Sequence, residues 1–231
     1  MNTTKVFQIA LRIAPLLMGQ SAAPTQIAKP ILDYTQKDLA LLNIRQKKGS
    51  VTVILGSRDT GKTELCYRFA EFLGRPTFGI FPQQMPPSWI TKLTLDEIFT
   101  KIPRMSTLIC DDLPSYASNR DYNDLLIRAL EKAIPMVRHE PHPPEYPLGE
   151  IHLIFSSQSS AQADKYILDA DMALFKPLGL LMGAVERPAV DKIYRTYVNP
   201  EFEGKDDSWI HNHAYLMTRT WRGIISITKV E

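Results

Sequence analysis

Cysteine is scarce in this 231-residue chain, with only Cys66 and Cys110. Each falls within an apolar periodic stretch, where a buried thiol is the ordinary occupant. A disulfide framework is therefore not expected, and a reducing cytoplasmic setting fits best. Excess charge is also lacking: the formal net charge is +2, too small to imply a nucleic-acid partner from bulk electrostatics, so phosphate contacts have to come from local clusters. Internal repeats are absent. The stretch 6–18 follows Lys5 and is apolar, but Arg12 interrupts it and Pro15 breaks it. It is too short for the ~20 apolar residues of a spanning helix and a poor secretory signal; an amphipathic helix packed on the domain or on a neighbouring subunit is the expectation.

What is present is an ordinary globular composition, 44% apolar and 23% charged, which argues against disorder. Residues 1–49 read as a helical N-terminal appendage and 50–231 as one core domain. Residues 51–55 form a short β-branched run, the pattern of a buried strand. A helical periodicity through Leu65, Phe69 and Phe72 follows, stopped by Gly74 and Pro76. Further strands are expected at 77–81, 106–110, 151–155 and 172–175, with helices near 95–101, 121–137 and 188–197. Residues 213–218 and 223–228 finish the chain as strands that can pair with each other. Strands alternating with helices predict an α/β fold, a mostly parallel sheet covered on both faces, with antiparallel strands at the C-terminal end.

Between the first strand and its helix stand Gly56, Ser57, Arg58, Asp59, Thr60, Gly61, Lys62 and Thr63. This is the complete phosphate-loop pattern in its required context. Backbone N–H groups and a helix N-terminus must converge on an anionic phosphate chain, and glycine permits the turns and the close approach. The expected ligand is ATP or GTP with Mg²⁺, with Lys62 reaching the outer phosphates and Thr63 on the metal. A triphosphate site also needs an acid for the metal and a group to orient or deprotonate water. Asp111 and Asp112, after the strand at 106–110, supply both: Asp111 for Mg²⁺ and Asp112 for the water. The second role more often falls to glutamate, whose carboxylate reaches ~1.5 Å further, about one carbon–carbon bond. Gln158 follows the strand at 151–155 and would stand beside the terminal phosphate if that strand neighbours the first.

The three stations together, glycine loop, Asp-Asp after a strand and Ser-Ser-Gln after a strand, resemble the FtsK-HerA superfamily of ring-forming DNA-translocating ATPases, and its viral genome-packaging branch in particular. Arg138-His139 ahead of the glutamine strand, and the acidic turn at 167–171 entering an apolar strand, are similar to that branch over residues 51–176. The proline-rich insert at 141–147 departs from it. The resemblance implies an Mg²⁺-dependent ATPase acting on double-stranded DNA in a ring of identical subunits, a hexamer being one such ring. It implies capsid or membrane-associated virion proteins as partners, and host cytoplasm or virion as location. It also implies an arginine that reaches a neighbouring subunit's nucleotide, with Arg138 as candidate and Arg187 and Arg120 behind it. Two other readings stay open: an AAA-type loader or initiator, and an assembly factor that binds nucleotide but turns it over poorly.

Several clusters read as solvated surface first. Arg45, Lys47 and Lys48, and separately Arg219, Trp221 and Arg222, have residue types that can meet nucleic acid. Tyr116 and Arg120 are placed for a DNA-touching loop by position alone. His211 and His213, two apart, would share one face of a strand, without the further ligands a metal needs.

Overall fold

The computed structural model describes residues 36–81, 85–94, 96–112, 134–141, 148–158, 170–179 and 188–227. The N-terminal amphipathic segment, most of the helix expected at 121–137, most of the proline-rich insert, the start of the acidic turn, and Tyr116, Arg120 and Arg187 lie outside them. In chain order the elements are α1 (Gln36–Gln46), β1 (Ser50–Leu55), α2 (Lys62–Leu73), β2 (Thr77–Ile80), β3 (Ile90–Lys92), α3 (Ile98–Lys101) and β4 (Thr107–Cys110). A 3₁₀ turn (Ile134–Arg138), β5 (His152–Ser157), β6 (Met172–Phe175) and α4 (Pro188–Ile193) follow. A π turn (Tyr194–Val198), α5 (Asn199–Phe202), α6 (Asp207–Asn212), β7 (His213–Thr218) and β8 (Arg222–Ser226) complete them.

One eight-stranded sheet carries the order β3-β2-β4-β5-β1-β6-β7-β8. The six strands from β3 to β6 are mutually parallel, and β7 and β8 are antiparallel additions. All six residues of β1 and of β5 are buried, as a sheet covered on both faces requires. Alternate residues divide between two cores. Ile54, Ile109 and Ile154 pack with Leu65, Cys66, Phe69 and Leu73 of α2 and with Leu41 and Ile44 of α1. Val53, Leu55, Leu108, Leu153 and Phe155 face the other way, against Ile134, Val137, Tyr194, Val198 and Phe202. The last helix before residue 50 is thus docked on the domain core.

The structure differs from expectation in three local places. Residues 134–138, expected as the end of an α-helix, form a 3₁₀ turn with Pro135 near its start, where a missing N–H is harmless. β3 escaped notice because it has three residues, of which only Ile90 is buried. α6 did carry a signal: Asp206 accepts from the Trp209 N–H at 2.7 Å, an ordinary N-cap. This helix also separates the two histidines expected on one strand face, since His211 lies in α6 and His213 opens β7.

His152 in β5 is 1% exposed, and its Nδ1 lies 2.6 Å from Ser50 Oγ. Burial, helped by the nearby Arg75 charge, lowers its pKa to about 3. As pH falls from 6.5 to 3 the unfolded chain takes up a proton that the folded chain refuses. Stability is therefore lost on acidification, at up to about 1.4 kcal/mol per pH unit from this residue. Chemical denaturation of His152→Leu across pH 4–7 should show a flatter dependence than wild type; identical slopes would mean that the buried ring accepts the proton.

Candidate nucleotide-binding site

Parallel strands deliver their carboxyl ends to one edge, and there the motif residues meet. β1 ends at Leu55 and the loop begins. Gly56 has φ 157°, and a Cβ on it would lie 2.5 Å from the Cβ of Lys176 just past β6, so only glycine fits. Asp59 and Gly61 also take positive φ, 61° and 82°. Gly61 leads into α2 with no side-chain cap, which leaves the first N–H groups of that helix directed into the loop. Within it, Lys62 Nζ donates to Ser57 O at 2.6 Å and Thr60 Oγ1 donates to the same oxygen at 2.8 Å. Lys62 is 9% exposed. Burial lowers its pKa, while Asp112 and Asp111 act in the opposite direction.

The acids are held by hydroxyls. Thr63 Oγ1 donates to Asp111 Oδ2 at 2.8 Å, and Ser156 Oγ donates to Asp111 Oδ1 at 2.5 Å. Ser156 Oγ in turn accepts from the Asp112 N–H at 2.8 Å, and Gln158 Nε2 donates to Asp112 Oδ2 at 3.2 Å. One hydrogen-bonded path thus runs from the start of α2 through the end of β4 to the end of β5. It exists because β5 pairs with both β1 and β4, which satisfies the neighbour condition set for Gln158. Asp112 sits at φ 48°, a left-handed position that aspartate tolerates better than most residues.

Arg58, Asp59, Gly61, Lys62, Thr63, Glu64, Asp111, Asp112, Ser156, Gln158 and His211 line an open cavity of about 560 Å³, a volume ordinary for a cofactor site. A strand, a glycine loop closed by a buried lysine, a helix N-terminus and a strand-end acid bonded to the threonine after that lysine decide the fold. It is the P-loop NTPase fold.

No family model matches the chain, and no curated protein matches it. Among solved structures it is similar to B204, the DNA-packaging ATPase from Sulfolobus Turreted Icosahedral Virus, at 11% identity over 77% of this chain and 97% of that one, with TM-score 0.46. It is similar to the cytoplasmic domain of the Thermomonospora curvata type VII secretion ATPase EccC, at 11% identity, 77% and 25% coverage and TM-score 0.46. A Thermotoga maritima RuvB mutant matches at 17% identity, 59% and 42% coverage and TM-score 0.42. Likenesses this distant carry no argument here, and both fold and chemistry rest on this chain's own residues.

The oxygen donors suit Mg²⁺. Thr63 and Asp111 present a hydroxyl and a carboxylate side by side, and among the described residues no group of three His, Cys, Asp or Glu gathers. Mg²⁺ commonly takes one or two protein oxygens and completes its shell from phosphate and water.

Arg138 is not brought to this cavity. It follows Val137, whose carbonyl accepts from the N–H of Ile151 just before β5, so it lies at the opposite edge of the sheet. Its Nε donates to Asp171 Oδ2 at 2.9 Å, and Lys47 and the Val51 N–H bind the same carboxylate. Burial works against the Asp171 charge, but these donors hold its pKa below the ordinary value. The suspected clusters lie at the surface, as expected, and several of their members have partners within the chain: Lys48 pairs with Glu150, Arg45 lies over Phe72, Arg222 lies over Tyr197 and Trp221 packs on the core.

Three site residues went unassigned from sequence. Ser156 was legible only as part of a serine-rich strand end. Lys176 is fully buried, and its Nζ donates to the carbonyls of Ile210, His211 and His213 at 2.6, 2.9 and 2.6 Å. Burial first, and the Lys62 charge second, lower its pKa to about 7; only the ammonium form has the three N–H groups those carbonyls use. His211 reaches the cavity because β7 runs antiparallel to β6, so the helix before β7 lies at the carboxyl edge.

Proposed function

We propose that this chain binds ATP with Mg²⁺ on residues 56–63 and hydrolyses it, and that hydrolysis drives double-stranded DNA through a ring of identical subunits during packaging of a viral genome. The observation that carries the hydrolytic reading is the path Thr63–Asp111–Ser156–Asp112–Gln158, which joins the phosphate loop to a carboxylate and an amide at hydrogen-bond distances. The loop N–H groups bind the phosphates, and Lys62 leaves Ser57 O to neutralise the outer ones. Thr63 and Asp111 hold the metal, which supplies charge neutralisation at the phosphates. Asp112 accepts the proton of the attacking water, and Gln158 keeps that carboxylate oriented and senses the terminal phosphate.

The motor reading is supported by the order of the three stations along the chain. Residues 50–231 form the ATPase unit on this reading, and 1–49 an appendage whose last helix is docked on it. Arg138 could serve a neighbouring subunit's nucleotide only after release from Asp171. The shorter acid at Asp112 favours, as second reading, an assembly factor with slow turnover.

Measuring ATP hydrolysis with and without double-stranded DNA separates them. Stimulation of several-fold is expected for the motor. Turnover indifferent to DNA would remove the nucleic acid from the proposal and leave the assembly factor.

A further inference from the structure

His211 lines the same cavity. Its Cδ2 lies 3.2 Å from where a Cβ on Gly61 would sit, in contact with the residue that turns the loop into α2. Nε2 is bonded to Cδ2, so that edge of the ring meets the loop. The other ring nitrogen, Nδ1, lies 2.8 Å from Asp207 O. A carbonyl oxygen only accepts, so Nδ1 carries the hydrogen and Nε2 is left for another partner. The backbone behind the ring is fixed: Lys176, whose Cβ abuts Gly56, binds the carbonyl of His211 and those of Ile210 and His213. The imidazole is therefore anchored to the first glycine of the loop through Lys176 and rests against the last one.

We infer that His211 is a nucleotide-binding residue that contacts the phosphate chain through Nε2, with Lys176 as its positioning residue. This rests on residues 56–63 being the triphosphate site. A phosphate chain seated on the Gly61 side of the loop meets Nε2, which donates to a phosphate oxygen in the form of the ring that carries hydrogen on both nitrogens. The C-terminal segment thereby becomes part of the nucleotide site, and the bound phosphates hold the loop, β6 and α6 together.

The test is calorimetric titration of the full chain with ATP and with inorganic tripolyphosphate. Wild type is compared with His211→Ala, His211→Gln and Lys62→Ala. His211 is exposed, so its replacement should leave the fold intact. His211→Ala is expected to weaken both ligands by about tenfold, the scale of a hydrogen bond to a charged group, and His211→Gln, which keeps a donor, by less. Loss of ATP affinity with unchanged tripolyphosphate affinity would overturn the phosphate contact and place the ring against sugar or base. Unchanged affinity for both, while Lys62→Ala loses both, would remove His211 from the site and leave the loop assignment standing. Lys62→Ala binding like wild type would instead bring down the site itself.

Discussion

Lys62→Ala is expected to cut ATP turnover by about 10²–10³-fold, the scale seen when one positioned charge-stabilising donor is removed. The basis is placement. Lys62 is nearly buried, bonded to a carbonyl of its own loop, and flanked by Asp111 and Asp112, whose charges favour its ammonium form against the cost of burial. An arriving triphosphate adds several negative charges at the same point and draws the ammonium outward. Arg58 also lines the cavity, but from the exposed tip of the loop, where water screens its charge and nothing holds it beneath the phosphates. Phosphate release by the variant, alongside its thermal midpoint to confirm folding, is the measurement. Full turnover in a folded variant would dissolve the assignment of residues 56–63.

Asp112→Asn should separate binding from chemistry. The substitution is nearly isosteric, and asparagine tolerates the left-handed backbone at φ 48° as readily as aspartate. The N–H that donates to Ser156 remains, and the new amide oxygen can still accept from Gln158. What disappears is the basic carboxylate, and general-base catalysis by a positioned side chain commonly contributes about 10²–10⁴-fold. Nucleotide affinity is expected within a few-fold of wild type, with hydrolysis reduced by at least about a hundredfold. If turnover is unchanged, Asp112 is a turn residue with a convenient charge.

The left-handed backbone at Asp112 is one that aspartate tolerates better than most residues, although Glu150 takes a similar φ of 52°. No feature of the one-dimensional pattern announces it, because it arises from how β4 exits into the cavity. The loop itself was legible, since glycine spacing, a preceding β-branched run and a following helical period all reflect local constraints. The strands other than β3 were legible for the same reason, down to the antiparallel C-terminal pair. What could not be read was whatever depends on long-range juxtaposition. Lys176 looks in sequence like a charge ending a strand, and only the approach of α6 supplies its three carbonyls. Arg138 looked available until Asp171, 33 residues on, was found paired with it. His211 reads as a surface histidine, as its exposure bears out, and only the Asp206 cap signals that it lies in a helix.

The placement of β5 has a mechanical consequence. The strand that bears the loop and the strand that bears the acids share no backbone ladder, because β5 separates them. Load arriving from the β3–β2–β4 flank is transmitted along the main chain to Asp111 and Asp112, and reaches the glycine turn across β5, through the packing of α2 on Ile109, and through the Thr63 hydroxyl. Six residues of β5 pair with β1 and four with β4, so the separation between the glycine turn and the two aspartates is set by two ladders rather than one.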